Sequence, residues 1–169
     1  MKSTLFLILG LLGTCSCSTG FNRDIDKFIS KHGEEDFSQF VGTSISYRDS
    51  DFGTDIFIVA KQGGNHPPYV VGINKSTKQI TTIDDKFLRQ SNHVPYFNHE
   101  QIRKFMKRFL DFDAQLLSVD KDSNVFIRPF YAEYSPILLR LNTKAGDTVI
   151  RKGIVYNLYR GNWYLSAAK

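Results

Sequence analysis

Four histidines (His32, His66, His93 and His99) and two cysteines (Cys15 and Cys17) are the side chains of this chain best suited to hold a metal or attack an electrophile. Their spacing argues against most of that chemistry. No two histidines stand four residues apart, the step that sets two imidazoles on one helix face around zinc. His99-Glu100 begins the HExxH string of a zinc hydrolase, but its fifth residue is Arg103. His93 with His99 remains one metal pairing to examine. Asp120, Asp122 and Asn124 occupy the first three ligand positions of a calcium loop, yet the sixth holds Val125 where Gly is needed and the twelfth holds Tyr131 where a bidentate Glu is needed. That stretch reads better as a polar hairpin loop. Gly63-Gly64-Asn65 lacks the Lys and Ser/Thr of a phosphate loop, no serine sits in a GxSxG elbow, and Asp51-Phe52-Gly53 stands alone as a turn.

These failures lead to the expectation of a protein that is not an enzyme, with no catalytic residues, no metal and no cofactor. Catalytic side chains are often distant in sequence, so a cleft lined by His66, His93, Tyr131 and Glu133 is the alternative: a small-ligand or hydrolytic envelope domain.

Both cysteines follow the apolar run Leu5–Leu12 and a single early cation, Lys2. The run is far shorter than the about 20 residues that cross a bilayer, and it reads as the apolar region of an export signal. A bridge between Cys15 and Cys17 fits disulfide geometry poorly. Leu12-Gly13-Thr14-Cys15 resembles the bacterial lipobox, in which an aliphatic residue and two small ones precede a cysteine that is fatty-acylated and becomes the new N-terminus. Thr14 departs from that pattern, which usually has Gly, Ala or Ser there. The resemblance implies an export signal at 1–14, lipidation of Cys15, a linker at 15–20 and a domain at 21–169 anchored to a membrane. No acidic run follows the cysteine, which implies a domain facing the periplasm. Ordinary signal cleavage, giving a secreted protein, is the alternative.

The formal net charge is +5, one unit of it from Lys2. That balance is too small to argue for nucleic acid, and it suits anionic lipid or an acidic protein. Arg103, Lys104, Lys107 and Arg108 form a basic stripe opposite the apolar face Ile102, Phe105, Met106, Phe109 and Leu110 of a helix expected from Asn98. The stripe is either a solvated face or a docking surface. Tyrosines supply the other binding candidates, because they are enriched at interfaces. Tyr131 and Tyr134 lie in the aromatic connection 130–136. Tyr159 and Tyr164 are expected to sit opposite each other on the outer face of a hairpin closed by Gly161-Asn162, with Tyr156, Leu158, Trp163 and Leu165 on the core side.

The elements that must position these residues follow from hydrophobic period. Phe21, Ile25, Phe28 and Ile29 predict a helix capped by Asn22 and ended by Gly33, with a helical turn at 35–41. Four antiparallel strands are expected between Thr43 and Asp84, then a helical turn at 86–90. The helix from Asn98 carries a capping box with Gln101, and six further strands are expected after it. The fold class is α+β, mainly antiparallel sheet with helices on one face. Ile25-Asp26-Lys27-Phe28 and Ile102-Arg103-Lys104-Phe105 share the form IxKF, which suggests tandem helix-plus-four-strand halves at 21–92 and 93–169; two amphipathic helices reusing one code is the other reading. The layout looks like that of the secreted β-lactamase inhibitor proteins, a resemblance of architecture without a shared motif. The function expected from these features is an envelope lipoprotein that binds a protein partner, an inhibitor or immunity protein being one form. A structural envelope lipoprotein is the blander reading.

Overall fold

The computed structural model describes residues 18–63, 65–129 and 137–167. Cys15, Cys17, Tyr131, Glu133 and Tyr134 lie outside the described residues. Residues 18–35 belong to one compact unit built around helix α1 (Ser18–His32). Ile25, Phe28 and Ile29 share one face of α1, and the rings of Phe28 and His32, one turn apart, stand 4.9 Å from each other. Lys31 in the last turn complements the negative end of the helix dipole. Gly33 follows because a β-carbon there would lie 2.5 Å from the carbonyl oxygen of Ile29. The helix begins at Ser18, so Asn22 is not its cap. An interior asparagine costs at most about 0.7 kcal/mol relative to alanine, too little to end a helix.

From Asp36 onward the chain builds a second unit, a ten-stranded antiparallel sheet. Its strands are β1 (Thr43–Asp51), β2 (Thr54–Lys61), β3 (Tyr69–Asn74), β4 (Ile80–Asp84), β5 (Leu116–Val119), β6 (Val125–Arg128), β7 (Leu138–Arg140), β8 (Thr148–Arg151), β9 (Ile154–Arg160) and β10 (Trp163–Ser166). Helices α2 (Lys86–Gln90) and α3 (His99–Leu110) lie between β4 and β5 in the chain. The lateral order is β4-β3-β2-β1-β5-β6-β7-β10-β9-β8. The α+β class with a dominant antiparallel sheet is therefore the observed one. Among the described residues, four strands precede α3 and six follow it.

Strand alternation sets which side chains share a face. Across β5-β1-β2-β3, Leu117, Ile45, Val59 and Tyr69 are successive register partners, and all four are buried. Helix α3 packs on this face: Phe109 meets Phe57 edge-on at 5.7 Å, and Phe105 lies 6.0 Å from Phe40 and 5.1 Å from Phe97. Each such large apolar side chain contributes about 1.5–3 kcal/mol when fully buried. The expected cap is present, with Asn98 Oδ1 accepting the Gln101 N–H at 2.8 Å and Gln101 Oε1 accepting the Asn98 N–H at 2.9 Å. Tyr69 fixes the helix entry. Its hydroxyl donates to the Phe97 carbonyl at 2.8 Å and accepts the Phe97 N–H at 3.1 Å.

The opposite face of the later strands carries a second cluster, Phe126, Leu139, Leu141, Val149, Tyr156 and Tyr164. Strands β7 and β10 are thus covered on both sides. Arg140, on the first face, holds its guanidinium 5.7 Å from the Phe37 ring centroid and 6.0 Å from that of Trp163. This two-sided burial corrects the C-terminal hairpin. Arg160 pairs with Trp163 as expected, but the register then shifts, and Tyr164 pairs with Leu158 rather than Tyr159. Tyr164 is 0 % exposed, and its hydroxyl accepts the Ala145 N–H at 3.0 Å. No exposed Tyr159–Tyr164 pair exists, because the second cluster takes Tyr164 inside.

Candidate functional site

A concave surface among the described residues starts from the five-residue connection between β3 and β4. Asn74 Oδ1 accepts the N–H groups of Ser76 and Thr77, each at 3.0 Å, together with the Ser76 hydroxyl at 2.8 Å. This local turn chemistry lets a polar side chain replace a ladder bond. Lys78 then adopts φ 55° and closes the turn by donating its N–H to the Asn74 carbonyl at 2.8 Å. The turn brings Lys78, Gln79 and Ile80 opposite Arg103, Lys107 and Leu110 of α3 and Asp111 just after it. Between them lies a groove of about 540 Å³. A recess of about 80 Å³ adjoins it, shares Lys78 and Leu110, and reaches Phe57 and Phe109.

The basic stripe of α3 divides into two pairs. Lys104 is matched to Glu100 at 3.0 Å, and Arg108 to Asp111 at 3.4 Å, with the Arg108 guanidinium 5.4 Å from the Phe112 ring centroid. These are solvated helix-face contacts of about 0.3–0.5 kcal/mol each. Arg103 and Lys107 have no carboxylate within ion-pair distance among the described residues, and both line the groove. Lys78 meets Asp55 only at 3.9 Å. The result is three cations around apolar Ile80 and Leu110, with the one lining carboxylate, Asp111, matched to Arg108. An acid flanked by apolar groups is the ligand chemistry that such walls fit.

Other candidates are dispersed. Tyr159 is half-buried on β9 and Tyr164 is internal, so the outer tyrosine patch is replaced by the groove. Asp120 is consumed by its own hairpin: Oδ1 accepts the N–H groups of Asp122 and Asn124 at 3.0 and 2.8 Å, and Oδ2 accepts Asn124 Nδ2 at 2.9 Å. His99 is exposed in the first turn of α3. His93 instead approaches His66, with ring centroids 6.4 Å apart, and His66 lies 5.5 Å from Tyr96. Burial pushes the Tyr96 and Tyr156 phenols above their usual range. The Asp36 carboxyl is held below its usual range by hydrogen bonds from the Ser38 N–H and hydroxyl. Among the described residues no three His, Cys, Asp or Glu side chains converge as a metal-binding group, and no helix is long and apolar enough to cross a membrane.

Sequence reasoning identified Arg103 and Lys107 but not Lys78 or Ile80. The KSTK stretch signalled a turn, and no local signal says which helix that turn will face. Comparison with protein-family models, curated proteins and solved structures finds no match.

Proposed function

We propose that this chain is a non-enzymatic, lipid-anchored envelope protein whose domain docks an acidic segment of a protein partner in the groove between the β3–β4 turn and α3. The observation that carries this reading is the trio Lys78, Arg103 and Lys107 around Ile80 and Leu110. A bilayer presents a flat anionic plane, which would meet the rim cations and leave the concave apolar wall unused. A peptide with an apolar side chain between two carboxylates uses both. Anchoring through Cys15, by the lipobox resemblance, would hold the domain beside other envelope proteins, as an inhibitor or immunity protein requires.

The groove is tested with a fluorescent peptide carrying Leu between glutamates, read by anisotropy against the full chain and a Lys78→Glu/Arg103→Glu/Lys107→Glu variant. Binding should be lost in the variant and largely lost on raising salt from about 0.1 to about 1 M, which shortens the screening length from about 10 to about 3 Å. Equal binding by the variant overturns the site, and binding to anionic vesicles without peptide binding makes the stripe a lipid surface. The anchor is tested separately by intact mass and detergent partitioning beside Cys15→Ala. A wild-type chain that gains no acyl mass would refute lipidation.

A further inference from the structure

We infer that His66 and His93 form a two-histidine site for a borderline divalent transition ion, Zn²⁺ or Cu²⁺, that ties the β2–β3 connection to the segment between α2 and α3. Imidazole suits these ions, and water completes the coordination of an open site. The inference is independent of the groove.

Three observations carry it. The two rings meet at 6.4 Å between centroids, nearly perpendicular at 85°. With metal–nitrogen bonds of about 2.0–2.1 Å, two imidazoles on one tetrahedral ion have centroids about 5 Å apart, so rotation of the exposed His66 side chain closes the difference. Second, both histidines sit on braced backbone. Tyr96 donates its hydroxyl to the Pro67 carbonyl at 2.7 Å, directly linking the two segments, and the His93 N–H donates to the Leu88 carbonyl at 2.9 Å. Pro67 and Pro68 follow His66, and Pro95 follows His93 by two residues, which further restricts both segments. Third, His93 Nδ1 lies 3.1 Å from the Ser91 carbonyl oxygen. A carbonyl only accepts, so Nδ1 carries the proton and a neutral His93 presents its Nε2 lone pair. That is the supporting contact which metal-ligating histidines use to fix tautomer and ring orientation. Tyr96 serves as the brace.

The test uses the full chain with Cys15→Ser and Cys17→Ser, so that thiols do not compete, and ZnCl₂ or CuCl₂ as the probe. Calorimetric titration should show one ion bound, and His66→Ala and His93→Ala should each weaken binding by about 10- to 100-fold or more, the range in which even a lost supporting contact falls. His99→Ala should leave affinity unchanged. Cu²⁺ electron paramagnetic resonance should show two coordinating imidazole nitrogens in the parent and one in each single variant, which separates a lost ligand from a disturbed fold. Absence of binding at millimolar metal overturns the site. So does binding that survives the double His66→Ala/His93→Ala change, or that disappears with His99→Ala.

Discussion

Replacing Tyr69 with phenylalanine removes one oxygen from a residue only 1 % exposed and leaves its ring in place. That oxygen makes two hydrogen bonds to the backbone of Phe97, one in each direction, at 2.8 and 3.1 Å. Phe97 immediately precedes the Asn98 cap, so the pair joins β3 to the start of α3 and sets the direction in which the helix leaves. A single intramolecular hydrogen bond is worth about 0.5–1.5 kcal/mol net, so Tyr69→Phe should cost about 1–3 kcal/mol. In a domain of this size that corresponds to about 2–4 °C in Tm per kcal/mol. Urea unfolding followed by the fluorescence of Trp163, the sole tryptophan and 3 % exposed, measures the loss. Tyr96→Phe is the internal comparison, because it removes one such bond, that to Pro67 at 2.7 Å, and should cost about half as much. A Tyr69→Phe loss below about 0.5 kcal/mol at unchanged m would refute the reasoning, since the Phe97 groups would then find water at no cost.

Phe52→Asn should stabilise the chain by about 1 kcal/mol in the same assay, because Phe52 is fully exposed with φ 27° beside Gly53 at φ 84°, a left-handed turn that asparagine tolerates far better. Asn98→Ala should cost about 1 kcal/mol through loss of the side-chain half of the capping box, with faster amide exchange at Gln101 as its local signature. Stability should fall as pH rises through and beyond about 10, the ordinary tyrosine value. The sign follows from the raised phenols of Tyr96 and Tyr156: the folded state holds their protons more tightly, so their contribution is fully present below the unfolded value and is lost as pH climbs through the folded one. Tyr156→Phe should flatten that alkaline slope, measured by urea unfolding at several pH values.

Local code was enough for most elements. The switch from 3.6-residue to two-residue period placed β1 to β4, and the Asn98/Gln101 pair marked the start of α3, because capping and alternation are interactions among near neighbours. The Asn22 cap failed for the complementary reason: a cap-favouring residue is only weakly unfavourable inside a helix, so a helix can run through it. The hairpin failed in register. Arg160 and Trp163 pair across Gly161-Asn162 as the turn dictates, and the next pair depends on what lies above and below the sheet.

For the candidate site, local spacing alone shows that α3 has an apolar face and a basic face, since residues three and four apart share a side of any helix. Tertiary structure decided which of those cations stand without a matching acid near a groove and which are matched by Glu100 and Asp111. It alone brought Lys78 and Ile80 to Arg103 and Lys107, and His66 to His93. These partners are more than 20 residues apart in the chain, and only the closing of β3 against β4 and the packing of α3 on the sheet bring them together. The same long-range packing took Tyr164 from the expected outer face into the core, because covering both sides of β10 buries more apolar surface than leaving one side to water.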